Sequence, residues 1–173
     1  MDSVEVYTPA LSTWRTGPAM PTDRSHFATG SFDDRIYLVG GYHYSPIETA
    51  LDSVEVFHVA SSSWSSAPPL NQARINVASF ETIGSRIYAI GGGAPGHWDP
   101  LKSAELYHYG SDSWEYIAPL PSARACVATA IVDGSLYAIG GHGYEDYVSS
   151  CDHTNSDRKL KTHLPLRAYR LHR

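Results

Sequence analysis

An all-β fold built from a tandem repeat is predicted by three observations. Trp14, Trp64 and Trp114 fall at intervals of 50 residues, and Arg24, Arg74 and Arg124 keep the same interval. The segments M-D-S-V-E-V-Y, L-D-S-V-E-V-F and L-K-S-A-E-L-Y place Glu5, Glu55 and Glu105 in near-identical settings, also 50 apart. Glycine pairs at 40–41, 91–92 and 140–141 close short aliphatic stretches and drift by one residue, as loops permit. A fixed period of this size indicates a repeat architecture whose unit is one supersecondary element.

Within one period the chain reads as four short extended segments divided by turn residues. From Arg74, R-I-N-V-A-S-F is the first strand, I-G-S turns the chain, and R-I-Y-A-I-G-G alternates before it stops on glycine. The loop G-A-P-G-H-W-D-P leads to S-A-E-L-Y-H-Y, and Gly110-Ser111-Asp112 turns the chain into S-W-E-Y-I-A-P-L. Four antiparallel strands per period describe one blade of a β-propeller, a small twisted sheet that packs face to face with its neighbours. The boundaries that follow are a half-blade over 1–20 holding third and fourth strands, whole blades over 21–70 and 71–120, and a partial blade over 121–148. Residues 149–173 form a basic tail without repeat features, expected to be irregular.

The glycine pair after a strand carrying Tyr37, Tyr88 or Tyr137, the acidic strand ending in Tyr7, Phe57 or Tyr107, and the spaced Trp together resemble the kelch repeat. The resemblance covers residues 1 to about 142 and implies an incomplete kelch-type propeller of two full four-stranded blades plus two half-blades. It further implies a protein-interaction module, in which blades are scaffold and specificity sits in loops on one rim. Kelch domains resemble the substrate-receptor half of cullin-based ubiquitin ligase adaptors, whose upstream BTB domain is not in this sequence. An actin-binding or self-assembling structural protein is the alternative, with two copies closing one ring through their half-blades. The galactose-oxidase-like enzyme branch, with its copper and Cys-linked Tyr, finds no match here.

Each recurring residue has a structural reading. Gly40, Gly41, Gly91, Gly92, Gly140 and Gly141 supply clearance near the propeller axis or a positive φ, and with no lysine and no helix after them they are not a phosphate loop. Trp14, Trp64 and Trp114, with the three tyrosines, are expected to fill blade interfaces. Arg24, Arg74 and Arg124 face either a buried acid or a ligand. The first alternative pairs Arg24 with Glu55 and Arg74 with Glu105, each 31 residues on, and leaves Arg124 to Asp152 or Asp157.

Candidate partner-binding residues lie in the loops after the glycine pairs, which share no sequence but share aromatic and histidine content. They are Tyr42, His43 and Tyr44, then His97 and Trp98, then His142 and Tyr144. In relatives that capture acidic peptides, contact residues lie two places beyond the repeat arginine. Those positions are His26, Asn76 and Cys126, and with no arginine among them they go against an acidic peptide.

Charge and composition narrow the function classes. Residues 1–150 carry 7 basic and 16 acidic side chains, against 6 and 2 in 151–173, so the body offers no basic face for nucleic acid. No apolar run is long enough for a membrane span, and the start lacks the apolar core of a secretory signal. The nine His show no H-x-H or H-x-x-x-H spacing, and the serine-rich turns form no nucleophile elbow, so neither metal, cofactor nor catalysis is expected. Cys126 and Cys151 show no spacing that frames a disulfide scaffold, which fits a reducing compartment: cytoplasm or nucleus.

Overall fold

The computed structural model describes residues 2–44, 49–77, 86–96 and 99–143 together with the strand 168–171, and all its sheets are antiparallel. The half-blade is a hairpin of β1 (Glu5–Thr8) and β2 (Thr13–Thr16), joined by a single 3-10 turn over Pro9–Leu11. The first whole blade runs β3 (Ala28–Phe32), β4 (Arg35–Val39), β7 (Val54–His58) and β8 (Ser63–Ala67), neighbours in that order. The loop between β4 and β7 carries its own small hairpin, β5 (Tyr42–His43) with β6 (Thr49–Ala50). The next blade contributes β9 (Arg86–Ile90), β10 (Ala104–His108) and β11 (Ser113–Ile117). The last contributes β12 (Ala128–Val132) and β13 (Ser135–Ile139), hinged by Asp133-Gly134, both at positive φ as a two-residue hairpin requires.

Register shows that the repeats superimpose residue for residue. Glu55 stands opposite Leu38 and Glu105 opposite Ala89, and Phe57 and Tyr107 stand opposite Trp64 and Trp114. The turns between third and fourth strands put Ser12, Ser62 and Asp112 at φ of 51°, 50° and 50°. One finding departs from the sequence reading. The first strand of the whole blade begins at Ala28, four residues after Arg24, because His26 adopts a left-handed φ of 54° that no strand accommodates. The corresponding first strand after Arg74 falls largely outside the described residues.

The core is interblade. Ala28, Tyr37, Val39 and Val56 of one blade pack on Val77, Ile87, Ala89, Tyr107 and Trp114 of the next, and a second cluster joins Ile90, Ala104 and Leu120 to Val127, Leu136 and Ala138. Each Trp reaches back one blade, Trp64 Nε1 donating to the Pro18 carbonyl at 3.2 Å and Trp114 Nε1 to that of Pro68 at 3.0 Å. Trp14 corrects the expectation that all three tryptophans are core: it is 67% exposed, whereas Trp114 is 8% exposed.

The glycines act by close approach as well as by conformation. At Gly40, φ +63°, a Cβ would stand 2.6 Å from the Arg74 carbonyl oxygen of the following blade, and at Gly91 it would collide with that of Arg124. Gly140 has a similar φ, +69°, but a Cβ there would meet nothing within 4 Å among the described residues.

The basic tail is not irregular throughout. Ala168–Leu171 forms β14, which pairs with the outer edge of β13 in the place that β7 and β10 occupy in their blades. Tyr169 thereby stands opposite Ala138, the register position of Glu55 and Glu105. A strand edge left with unpaired backbone groups accepts another extended segment, and four residues suffice.

Candidate recognition face

The repeat arginines resolve in favour of the buried acid. Arg24 Nη2 lies 3.0 Å from Glu55 Oε1, and Arg74 Nη2 lies 2.5 Å from Glu105 Oε1 with neither side chain exposed. Each guanidinium also donates from Nη1 to the first glycine of its pair, Arg24 to Gly40 O at 3.0 Å, Arg74 to Gly91 O at 2.8 Å and Arg124 to Gly140 O at 2.8 Å. Burial lowers the pKa of Arg24 and Arg74, and the facing carboxylate opposes that shift. Arg24 and Arg74, both buried, brace the strands of their blades and are not available to a ligand. Asp152 and Asp157, considered for Arg124, lie outside the described residues; Arg124 donates from Nη1 to Gly140 O and from Nη2 to Ser122 Oγ, at 2.8 Å each.

The two pairs are not equal. Glu105 Oε2 accepts from Asn71 N at 2.7 Å and Asn71 Nδ2 at 3.0 Å. The residue in that place one repeat earlier is Pro21, which has no N–H to give, and Glu55 Oε2 and Arg24 Nε are left buried without a hydrogen-bond partner among the described residues.

Two residues beyond each arginine the chain makes the same left-handed turn with a different side chain. His26, Asn76 and Cys126 have φ of 54°, 49° and 54°, and their backbones are stitched together: Asn76 N donates to His26 O at 2.8 Å, Cys126 N to Asn76 O at 3.2 Å. Just before each, an antiparallel bridge ties Ser25 to Tyr42, Ile75 to Gly93 and Ala125 to His142. One backbone template thus displays His, Asn and Cys in a row, with His26 exposed and Asn76 and Cys126 half-buried. Cys126 is disulfide-bonded. Cysteine spacing gave no sign of that bond, which depends on approach in space and not on separation along the chain.

The loop candidates separate. Tyr42 is buried, packed with Ala50 and Ile75, so it supports the loop instead of meeting a partner. Its ring receives that of Tyr44 edge-on at 4.6 Å, and Tyr44 is 52% exposed. His43 is held by Asp23, with Nδ1 2.7 Å from Oδ1 and 2.9 Å from the backbone oxygen. Between the β5–β6 hairpin and Ala94-Pro95-Gly96 of the next blade lies a cavity of about 160 Å³ floored by Tyr42 and Ile75. His142 is half-buried, with Nδ1 unpartnered among the described residues. His97, Trp98 and Tyr144 lie outside the described residues.

Sequence reasoning missed the left-handed row, because three unlike residues without glycine give no signal of positive φ. It missed the β5–β6 hairpin as well, since two-residue strands are too short for alternation to show.

No curated protein matches the chain. The kelch motif matches residues 23–71 and 78–121, which take in Arg24 with Glu55, Glu105, the glycines at 40–41 and 91–92, and Trp64 and Trp114. With more than half of its length under that motif and its sheets arranged as successive blades, the chain belongs to the kelch-repeat family.

Proposed function

We propose that the chain recognises another protein through the face that carries His26, Asn76, His43 and Tyr44. Kelch repeats suggest a protein-interaction module, and the observation that supports this face is the row at 26, 76 and 126: identical backbone, different side chains. Where geometry is fixed by the repeat and chemistry varies along it, side-chain choice is free to encode a partner. The braced His43 and the half-exposed Tyr44 extend that surface outward, and aromatic and histidine groups held in place lose little entropy on binding.

Within this reading the chain acts as the substrate-recognition part of a ubiquitin-ligase adaptor, as kelch domains do in proteins it resembles. Capture of one soluble protein by the immobilised chain is the expected result. Simultaneous His26→Ala, Asn76→Ala and Tyr44→Ala substitution is expected to abolish that capture without shifting Tm. Retention of the same protein by the substituted chain would refute the face, and pelleting with actin filaments would favour a structural role.

A further inference from the structure

Building on the recognition face proposed above, we infer that the recess between the β5–β6 hairpin and the 94–96 loop takes one aliphatic side chain from a basic segment of the partner protein. Its floor is Tyr42 and Ile75, 6% and 1% exposed, which form with Ala50 a small apolar cluster separate from the interblade core. Thr49 stands on one wall and Ala94-Pro95-Gly96 on the other. Among the described residues no charged group lines it.

The repeat itself does not demand this floor. Antiparallel bridges make Ser25, Ile75 and Ala125 equivalent, and likewise Tyr42, Gly93 and His142. Where Tyr42 of one blade meets Ile75 of the next, the following junction holds Gly93 and Ala125 on the same backbone. A large apolar pair is thus built at one junction and left out at the other. The recess is also held in shape before anything enters it. Ile75 and Gly93 exchange both backbone hydrogen bonds, at 3.0 and 2.7 Å, and Ala94 N donates to Asp99 O and Leu51 N to Gly41 O, each at 2.8 Å. A guest then binds with little loss of ordering entropy in the walls.

Size and charge select the guest. A volume of about 160 Å³ is close to that in which an apolar cavity holds a benzene-sized group, so one leucine or isoleucine side chain fills it. Over 41–50 and 91–100, the two stretches that wall the recess, the sequence carries the carboxylates of Glu48 and Asp99 and no lysine or arginine. Arg74, next to Ile75 in the chain, is buried against Glu105 and presents no positive charge to the mouth. Tyr44, 52% exposed and edge-on to Tyr42 at 4.6 Å, adds an aromatic surface that attracts a cation. Lysine or arginine beside the anchoring side chain is therefore attracted here, and an acidic segment is repelled.

Titration of the full chain with the end-blocked peptide K-K-L-K-K, followed at the backbone amide resonances of Ala50, Ile75 and Ala94, is expected to give saturable shifts at millimolar peptide. The peptides K-K-D-K-K and E-E-L-E-E are expected to bind at least about tenfold more weakly, the first for want of an anchor and the second through like charge. Ala94→Leu fills the recess from one wall and is expected to abolish the shifts at Ala50 and Ile75 with Tm unchanged. Should that variant not fold, Thr49→Leu fills it from the other wall and takes its place. Asp99→Lys is expected to weaken binding of K-K-L-K-K by about threefold or more, a loss that shrinks in high salt. No shift at these amides, equal binding of the three peptides, or shifts that survive Ala94→Leu would each overturn the site. Protein capture that is lost on substitution of His26, Asn76 and Tyr44 but kept by Ala94→Leu would leave the recognition face standing and remove the recess from it.

Discussion

Arg74 and Glu105 meet at 2.5 Å with both side chains removed from solvent, and the same guanidinium holds the carbonyl of Gly91 and the Ser103 backbone. A buried ion pair of this kind stabilises little in itself, but removing one partner strands the other charge, at a cost of about 3–5 kcal/mol. Glu105→Gln is therefore expected to lower the unfolding free energy by that amount in urea titration. Glu55→Gln is expected to cost about 1–2 kcal/mol less, because Pro21 has already left one Glu55 oxygen without a donor. Equal losses would show that the Asn71 contacts contribute nothing.

Glycine at the inner end of a blade does two jobs that substitution can separate. Gly140→Ala meets only the left-handed backbone and is expected to cost about 1–2 kcal/mol. Gly91→Ala adds a collision with the Arg124 carbonyl, and a loss of about 3 kcal/mol or more is expected. Matching costs in thermal unfolding would contradict the close approach of successive blades.

Periodicity marks equivalence of position along the chain, not equivalence of neighbours, and the tryptophans show the difference. Trp114→Ala is expected to cost about 3–5 kcal/mol, as for a buried Trp, whereas Trp14→Ala is expected to cost less than about 1 kcal/mol in the single chain. Denaturant unfolding of the two variants side by side checks the contrast.

The tyrosines set an alkaline limit. Burial raises the pKa of both Tyr107 and Tyr37 above 10.0, and the Tyr107 hydroxyl, which donates to Asp112, is raised further by that carboxylate. In the unfolded chain these groups ionise near 10, so above that pH the folded state binds more protons than the unfolded. Their contribution is fully present below pH 10 and declines as pH rises beyond it. Tyr107→Phe is expected to flatten the fall in stability between pH 9 and 11, and an unchanged slope would remove Tyr107 from the account.

Much of this arrangement was legible in residue spacing. The interval of 31 from Arg24 to Glu55 and from Arg74 to Glu105 identifies the ion pairs, because a buried guanidinium demands an acid and the repeat offers one. Other features depend on what lies beside a residue in space. Tyr42 has the look of a loop contact in sequence, yet Ile75 of the next blade buries it. The strand at Ala168–Leu171 has no repeat feature and is drawn in by the edge of β13. The inequality of the two ion pairs turns on a single missing N–H at Pro21.

The account rests on successive repeats being stitched at their inner ends into one arc that presents one face. Residue-resolved hydrogen exchange tests this most directly at the amides of Asn76 and Cys126, which donate to the equivalent residue of the preceding blade, and at Gly41 and Gly92, which donate to the arginine carbonyls of the following one. These four are predicted to exchange together, at rates approaching those of β4 and β10. Exchange as fast as at the exposed turn residue Gly110 would contradict the stitched arc and the recognition face built on it.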